Sequence, residues 1–428
     1  MKILKKLIIW ILTWESRLIL AKYRPFIVAV TGSVGKTSTK DAIYCVLKDQ
    51  SRYVRKSQKS LNSDIGLPLT IIGAPNAWHD VVGWSANVWR GLKLIIRRAD
   101  YPDCLILEVG ADHPGDIKKV TKWLHPDIAV VTRISRMPVH VEFFRSPEQV
   151  FEEKAALAEA VKLGGTVVLF ADDEKNLSIA ERLARTQPRI ITFGQNEKAD
   201  VRALQVMSSF TGLSFGLHLA DTTVPIAVPG VIGEAYCYPI LAAAAVGFSR
   251  GMTPDGIARR LNNYEAPRGR MNIIPGVNGA TLIDDTYNSS PDAALSALKT
   301  LKDIACSGAK IAVLGDMMEL GKYAAEEHRR IGREAATVVS LLITVGPRSR
   351  MSAEEALKHG LSTESARSFD STAEAATFLA PIMKTGDIIL VKGSQSMRME
   401  RIVKALMNEP QKADMLLVRQ EQEWLDKA

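Results

Sequence analysis

Val28-Ala-Val-Thr-Gly-Ser-Val-Gly-Lys-Thr-Ser38 decides how the rest of this chain is read. Residues 26–30 form an apolar, β-prone run, a glycine-bearing turn follows, and residues 40–47 carry a helical pattern. That order puts a helix N-terminus at the end of a strand, where backbone N–H groups converge on an anion. Gly32 and Gly35 permit the tight turn and the close approach of the backbone. Lys36 is placed to reach the outer phosphates of a nucleoside triphosphate, and the Thr37 hydroxyl to hold Mg²⁺. The spacing departs from the general Gly-x4-Gly-Lys pattern, because Val30 stands five positions before Gly35. A glycine turn with a solvated lysine is the plainer alternative, but it does not explain why strand, turn, Lys-Thr and helix all agree. The loop by itself does not separate kinase, GTPase, ATPase and ligase. Asn-Lys-x-Asp, the guanine-specificity signal, is absent.

Outward from this loop, 428 residues exceed one ordinary core and imply two or three domains. A composition 46% hydrophobic and 24% charged is that of a globular protein. The net charge of +8 suits an anionic substrate or an anionic membrane surface. No recognition motif or aromatic–basic platform supports nucleic acid as a partner. Cys45, Cys104, Cys237 and Cys306 are too scattered for a zinc site or a disulfide framework, which fits a reducing cytoplasm. Continuous apolar strands at 26–30, 104–109, 128–132 and 166–170 alternate with helical patterns, the signature of a parallel sheet. Residues 189–227 read as a small β excursion, and 231–251 as an alanine-rich helix. The pattern breaks near 264–269. A second α/β alternation then runs through strands at 281–284, 310–314, 341–345 and 388–391. The expected fold is therefore α/β: a P-loop central domain at 25–265 with a mostly parallel sheet, and a Rossmann-like α/β domain at 266–408. A polar helical tail at 409–428 follows, docked through Met415-Leu-Leu-Val418.

Residues 1–24 are a greasy N-terminal helix with Lys5 and Lys6 near its start. The apolar run is too short to cross a bilayer, and no small-residue cleavage site marks a signal peptide. Two readings stand: an interfacial helix with basic flanks, or a helix packed on the protein's own core. Trp10 and Trp14 lie here, and Trp78, Trp84 and Trp89 lie in a second such stretch, 76–98. Tryptophan favours places with one wet and one apolar side. The stretches 1–22 and 76–98 either pack on each other, touch a membrane peripherally, or meet a partner.

Several further motifs follow in order: Asn62-Ser-Asp-Ile-Gly-Leu-Pro68, Leu107-Glu-Val-Gly-Ala-Asp-His-Pro-Gly-Asp-Ile117 and Pro126-Asp-Ile-Ala-Val-Val-Thr132, then His140 and Glu153-Lys154. Gly269-Arg-Met271, Asp284-Asp-Thr-Tyr-Asn-Ser-Ser-Pro291, Ala312-Val-Leu-Gly-Asp-Met-Met-Glu-Leu-Gly321 and Val391-Lys-Gly-Ser-Gln-Ser-Met-Arg-Met-Glu400 close the set. Over residues 25–408 the chain resembles the Mur ligase family. It looks most like the branch that adds D-alanyl-D-alanine to a UDP-N-acetylmuramoyl-tripeptide. The resemblance implies an ATP-dependent, C–N bond-forming ligase of peptidoglycan precursor synthesis in the cytoplasm, working through an acyl phosphate. Three departures accompany it. The usual N-terminal UDP-binding domain has the apolar residues 1–24 in its place. The family's Gly-x-His-Asn-x-x-Asn segment reads Gly233-Glu-Ala-Tyr-Cys-Tyr-Pro239, so adenine contacts must differ. The stretch 76–98 looks like an insertion.

Residue by residue, the resemblance implies an ATP loop of Thr31, Gly32, Ser33, Val34, Gly35, Lys36, Thr37 and Ser38, with Lys36 as a catalytic cation. Thr37 and Glu108 would hold one Mg²⁺. His140 and Lys154 would serve catalysis and a second Mg²⁺, Lys154 after carbamylation, since an ammonium has no lone pair for a metal. Read without the resemblance, Lys154 is an ordinary surface lysine beside Glu153. Arg270 and Asp285 would reach ATP on closure of the second domain. Asn62, Asn288, Lys392 and Arg398 would bind the peptidyl acceptor and the D-amino-acid dipeptide. Two other readings stay open: a different acceptor, of poly-γ-glutamate, capsule or lipid-linked type, and a non-catalytic membrane-associated relative, which the altered 233–239 segment suggests.

Overall fold

The computed structural model describes residues 2–58, 61–78, 80–183 and 187–426. Its strands in chain order are β1 Phe26–Thr31, β2 Val54–Lys56, β3 Cys104–Glu108, β4 Ile128–Val131, β5 Thr166–Phe170, β6 Arg189–Gly194, β7 Val201–Ser209, β8 Gly212–Leu219, β9 Thr222–Pro229, β10 Asn272–Pro275, β11 Thr281–Asp285, β12 Lys310–Gly315, β13 Leu341–Val345, β14 Ala366–Phe369 and β15 Ile388–Lys392. Two sheets hold them. The first has the order β2-β3-β1-β4-β5-β6-β7-β8-β9, and the second β10-β11-β15-β12-β13-β14. The first is parallel from β2 through β7, and the second is parallel from β11 to β14. The α/β class and the mostly parallel sheets expected from sequence are both present.

The continuous apolar runs have the two-sided burial that a parallel sheet requires. In the first sheet Val28, Val30, Ile106, Ile128, Val130 and Val168 face one core, shared with helices Lys36–Leu47 and Cys237–Ser249. Their neighbours Ile27, Ala29, Leu105, Leu107, Ala129 and Val131 face the other, which takes residues from helices Lys2–Tyr23, Gly66–Ile72 and Pro147–Glu159. The second sheet divides the same way, with Leu314 and Leu390 on one side and Val313 and Val391 on the other. Capping residues start the helices that matter below. Ser146 accepts from the Gln149 N–H ahead of Pro147, and Ser290 from the Ala293 N–H ahead of Pro291.

Two expectations take a more particular form. The 189–227 segment is β, but it belongs to the first sheet: β6 and β7 continue the parallel sheet, and β8 and β9 extend it as an antiparallel meander. The tail is helical in short pieces, at Pro410–Lys412, Ala413–Leu416 and Gln422–Leu425. Leu417 is its buried anchor, whereas Met415 is exposed.

Helix Lys2–Tyr23 packs beside helix Val81–Ile96, so the two tryptophan-bearing stretches do meet. Leu12 and Ile19 enter the core, while Trp10 and Trp14 on the opposite face stay exposed. The Lys22 ammonium closes the C-terminus of the second helix, donating to the carbonyls of Leu94, Ile95 and Arg97 at 2.8–2.9 Å. Glu15 lies fully buried between the pair, against Gly91, where any side chain would collide with its carboxylate. Neither Glu15 oxygen has a hydrogen-bond partner among the described residues. Burial pushes its carboxyl from 4.5 up to about 7. The folded protein therefore keeps a proton that the unfolded chain releases. Stability from this group is greatest below pH 4.5 and declines as pH rises through 7. Glu15→Met is expected to raise stability at pH 8 by about 3 kcal/mol and to show most of that pH-dependent gain gone at pH 5. Urea unfolding at the two pH values reads this; an identical change at both would argue against a buried, titrating carboxylate.

Candidate active site

Strand β1 pairs with β3 on one side and β4 on the other, so the chain leaves it at the point where strand order reverses. Crevices at the carboxyl ends of such strands hold ligands in open α/β sheets. The loop that fills this crevice is fixed by its neighbours. Thr132 donates its hydroxyl to the carbonyls of Thr31 and Val34, at 3.1 and 2.8 Å. The N–H groups of Ser33 and Val34 donate to the Arg133 carbonyl. Gly32 leaves no room for a Cβ against the Thr132 side chain, and Gly35, at φ +86°, opens helix Lys36–Leu47. The cradle is thus made by backbone, as a phosphate site requires.

Lys36 folds back onto the Gly32 carbonyl at 2.9 Å. Burial lowers its pKa, Glu108 opposes that, and Arg270 adds a like charge from the second sheet's side of the cleft. Glu108, at the end of β3, is the hub. Its Oε2 accepts the Thr37 hydroxyl at 3.0 Å and lies 3.7 Å from the Lys40 ammonium. Its Oε1 accepts the Asn62 amide at 3.0 Å. Thr37, Glu108 and Asn62, separate in sequence, therefore converge. The described residues hold no group of three or more His, Cys, Asp or Glu side chains arranged as a metal cage. Mg²⁺ bound with nucleotide does not need one: it takes one or two protein oxygens and completes its shell with phosphate and water. The Thr37–Glu108 pair is an oxygen set of that kind.

His140 begins the turn Val141–Phe143 in the left-handed conformation, φ +68°. Its Nε2 lies 3.6 Å from Asp112 Oδ1, and its Nδ1 lies 2.7 Å from Glu319 Oε2. The His140 contact holds the Glu319 carboxyl below its ordinary pKa. Lys154 corrects the surface reading: it is 3% exposed, on the inner side of helix Pro147–Glu159. Its neighbour Glu153 is equally buried and accepts the N–H groups of Gly115 and Lys118, closing the start of helix Asp116–Val120. Burial lowers the Lys154 pKa to about 7, nearby Lys36 adds to this, and Asp112 and Glu153 oppose it. Lys36, Asp112, His140 and Lys154 thus form one electrostatic cluster.

From the second sheet, Asp285 ends β11 and Lys392 ends β15, and the register pairs them. Their side chains form a buried ion pair at 2.7 Å, and the Lys392 ammonium also donates to the Asn288 carbonyl at 2.9 Å. The Arg270 guanidinium stacks 4.2 Å over the Tyr287 ring, and its Nε is buried without a hydrogen-bond partner among the described residues. Among the described residues the Thr31 and Ser33 hydroxyls are likewise buried without partners. Of these donors the Arg270 Nε belongs to the cleft itself, and an anion with several oxygens would satisfy it. The cleft, about 110 Å³, is lined by Gly35, Ser38, Tyr236, Arg270, Asp285 and Lys392. A larger groove of about 500 Å³ opens beside it, between Arg133, Tyr238 and helix Pro291–Asp303. Tyr236 and Tyr238 occupy the segment where the sequence departs from its resemblance.

Residues 30–83 and 87–247 match the Mur ligase middle domain, and residues 269–395 match the Mur ligase glutamate ligase domain. The chain belongs to the Mur ligase family. A Mycobacterium tuberculosis relative named UDP-N-acetylmuramoyl-tripeptide–D-alanyl-D-alanine ligase is 32% identical over 404 residues, covering 89% of this chain and 72% of the relative. A Bacillus subtilis relative of the same name is 28% identical over 385 residues, covering 90% and 76%. Among solved structures, the MurF ligase of Thermotoga maritima in complex with ADP aligns with a TM-score of 0.77 at 26% identity, covering 94% of this chain and 84% of that one.

Within this Mur ligase, the first match spans the ATP loop, Asn62, Glu108, His140 and Lys154, and the second spans Arg270, Asp285, Asn288 and Lys392. Arg398 lies beyond both and is not brought to the cleft. It is buried, its Nε donates to Glu400 at 2.6 Å, and its Nη1 donates to the Trp424 carbonyl. With Arg419, which also pairs with Glu400, it holds the tail against helix Glu400–Leu406. Its expected role at the substrate is corrected on that ground. Asp112 was missed by sequence reasoning, although it lies inside a quoted motif; the 315–319 segment that carries Glu319 reads from sequence as either a binding segment or a strand-end turn.

Proposed function

We propose that this chain is an ATP-dependent amide-bond ligase of peptidoglycan precursor synthesis that joins D-alanyl-D-alanine to a UDP-N-acetylmuramoyl-tripeptide. The observation that carries the reading is the cleft in which Val34, Gly35, Ser38 and Thr39 face Arg270, Asp285 and Lys392 from the other sheet, with Thr37 of the same turn bonded to Glu108. Identity of 32% to a relative bearing that activity in its name supports the choice of substrates. In the reaction, an acceptor carboxylate attacks the γ-phosphorus of ATP, the bond to ADP breaks, and an acyl phosphate forms. The dipeptide amine then attacks the acyl carbon, the C–O bond to phosphate breaks, and the nitrogen's proton passes to solvent. Charge on the transferring phosphoryl group is what the site must balance.

In this proposal the backbone of residues 31–38 grips the β- and γ-phosphates, with Lys36 and Arg270 supplying positive charge from opposite sides. Asp285 serves the ribose hydroxyls by exchanging part of its bond to Lys392. Thr37 and Glu108 would hold one Mg²⁺, and His140 with carbamylated Lys154 a second; bound there, the ions would supply positive charge to phosphate oxygens. Asn62, Asn288 and Lys392 face the acceptor and the amine. Lys154 takes up CO₂: its neutral amine attacks the carbon, an N–C bond forms, an electron pair moves to oxygen, and a proton leaves to solvent. A buried amine with a pKa near 7 supports that step. Residues 25–265 work as the ATP-binding domain and 266–408 as the domain that closes on it, excluding water from the acyl phosphate. Residues 1–24 form an outer helix and 409–428 a tail. We place the enzyme in the cytoplasm at the inner face of the membrane.

The test is phosphate release from ATP with UDP-N-acetylmuramoyl-tripeptide and D-alanyl-D-alanine, separately and together. Release only with both, with the pentapeptide as product, is expected. ATP binding without release in the presence of both would overturn the choice of acceptor and amine.

A further inference from the structure

We infer that helices Lys2–Tyr23 and Val81–Ile96 together form a docking face for an anionic lipid surface. Each helix is amphipathic in the wrong direction for a buried element: one side is in the core, and the opposite side is apolar and open. On the first, Leu12, Ser16 and Ile19 are buried. Leu7, Trp14 and Leu18 fall within about 40° of one another on the other side at 100° per residue, with Trp10 beside them. Their exposures are 50%, 46%, 37% and, for Trp10, 66%. On the second, Asn87 and Gly91 are buried, and Val82, Trp89 and Ile96, at seven-residue spacing, are exposed. Exposed apolar side chains scattered singly need no explanation, but two aligned stripes on adjoining helices do.

Charge selects the occupant. Lys6, Arg17, Arg90, Lys93 and Arg98 are exposed along or beside the stripes. Glu15 is the only carboxylate on either helix, and it is turned inward and buried. A second copy of this face would set like charges against each other, whereas anionic headgroups complement them. Tryptophan at the margin of an apolar stripe suits the headgroup boundary. No described helix is long and apolar enough to cross a membrane, so the geometry is that of helices lying in the interface plane. The elements are also held firmly. Lys22 ties the first helix to the C-terminus of the second, and Leu12 and Ile19 root it in the core. The stripes therefore belong to a fixed surface of the folded protein. This inference does not depend on the ligase reading.

The experiment is flotation of the full chain with phosphatidylcholine vesicles, with and without phosphatidylglycerol, at low and high salt. Binding to the anionic vesicles that weakens with salt is expected. The triple variant Trp10→Ser, Trp14→Ser, Trp89→Ser should lower partitioning by at least about tenfold, since affinity follows buried apolar area. The charge variant Lys6→Glu, Arg90→Glu should also lower it by about tenfold, on anionic vesicles alone. Thermal unfolding and ATP-driven phosphate release, read on the same preparations, should match the unsubstituted chain; they separate failure of docking from failure of the ligase reading or of folding. No flotation with anionic vesicles, or equal flotation of the triple variant, would overturn the proposal. So would a dimer in sedimentation velocity that the tryptophan substitutions dissolve, which would assign the face to a second copy.

Discussion

Lys36→Ala is expected to cut acceptor-dependent phosphate release by about 10⁴-fold, within the range seen when a transition-state cation is removed from phosphoryl transfer. Its ammonium is the loop's own cation and the nearest one to the phosphates that the loop would cradle. Lys36 rests on the Gly32 carbonyl, with burial lowering its pKa and Glu108 opposing that shift. A desolvated cation held by one neutral acceptor is not a keystone of the fold, so the alanine variant should unfold at nearly the same temperature. Nucleotide should still bind, more weakly, because Gly35, Thr37 and Ser38 keep their backbone donors. Lys36→Arg should not restore turnover, since a planar fork does not fit where a point charge folds back into a tight turn. The measurement is a coupled phosphate assay with both substrates beside thermal unfolding. Full activity of the alanine variant would remove the loop from the chemistry.

The same residues show what a sequence can and cannot carry. The loop was legible because its function depends on local order: an apolar strand, two glycines and a helix within a short span. The main parallel strands were legible because both their faces are buried and their runs are continuous. Strand β2, only Val54–Lys56, was not, since two of its three residues are charged and one is the Arg55 that reaches over Tyr101. Edge strands β10 and β14 are short and half-covered, so their patterns are mixed. Burial of Lys154 was illegible for another reason. Glu-Lys on a helix reads as a solvated pair until tertiary contacts supply the Gly115 and Lys118 N–H groups that satisfy Glu153. The Asp112–His140–Glu319 chain joins three loops far apart in sequence, and no spacing rule could bring Glu319 to His140. Resemblance supplied the roles of Lys154 and Arg270, while geometry alone redirected Arg398 from the substrate to the tail.

Lys154→Met is expected to lower turnover by about 10³-fold, the loss typical of removing one preorganised charge-stabilising group. The variant should still bind ATP. The argument starts from the amine. A lysine in water, with a pKa near 10.4, is neutral in roughly one molecule per thousand at pH 7.4. Lys154, near 7, is mostly neutral at that pH. The sign follows: above pH 7 the free base is available to CO₂, and below it protonation closes the reaction. In CO₂-depleted buffer, activity of the unsubstituted chain should therefore fall and return on adding bicarbonate, with the deeper loss on the acid side of pH 7. The methionine variant should not respond to bicarbonate. A Lys154→Ala variant leaves space where the carbamate would sit, so formate or acetate should restore part of its rate by supplying the missing carboxylate oxygens. Carbon-13 NMR with labelled bicarbonate reads the adduct directly. A wild-type spectrum with no carbamate signal, together with activity indifferent to CO₂, would leave Lys154 as an amine donor beside Asp112. In that case the methionine variant would lose charge balance at the cluster, and neither bicarbonate nor a small carboxylate would restore anything.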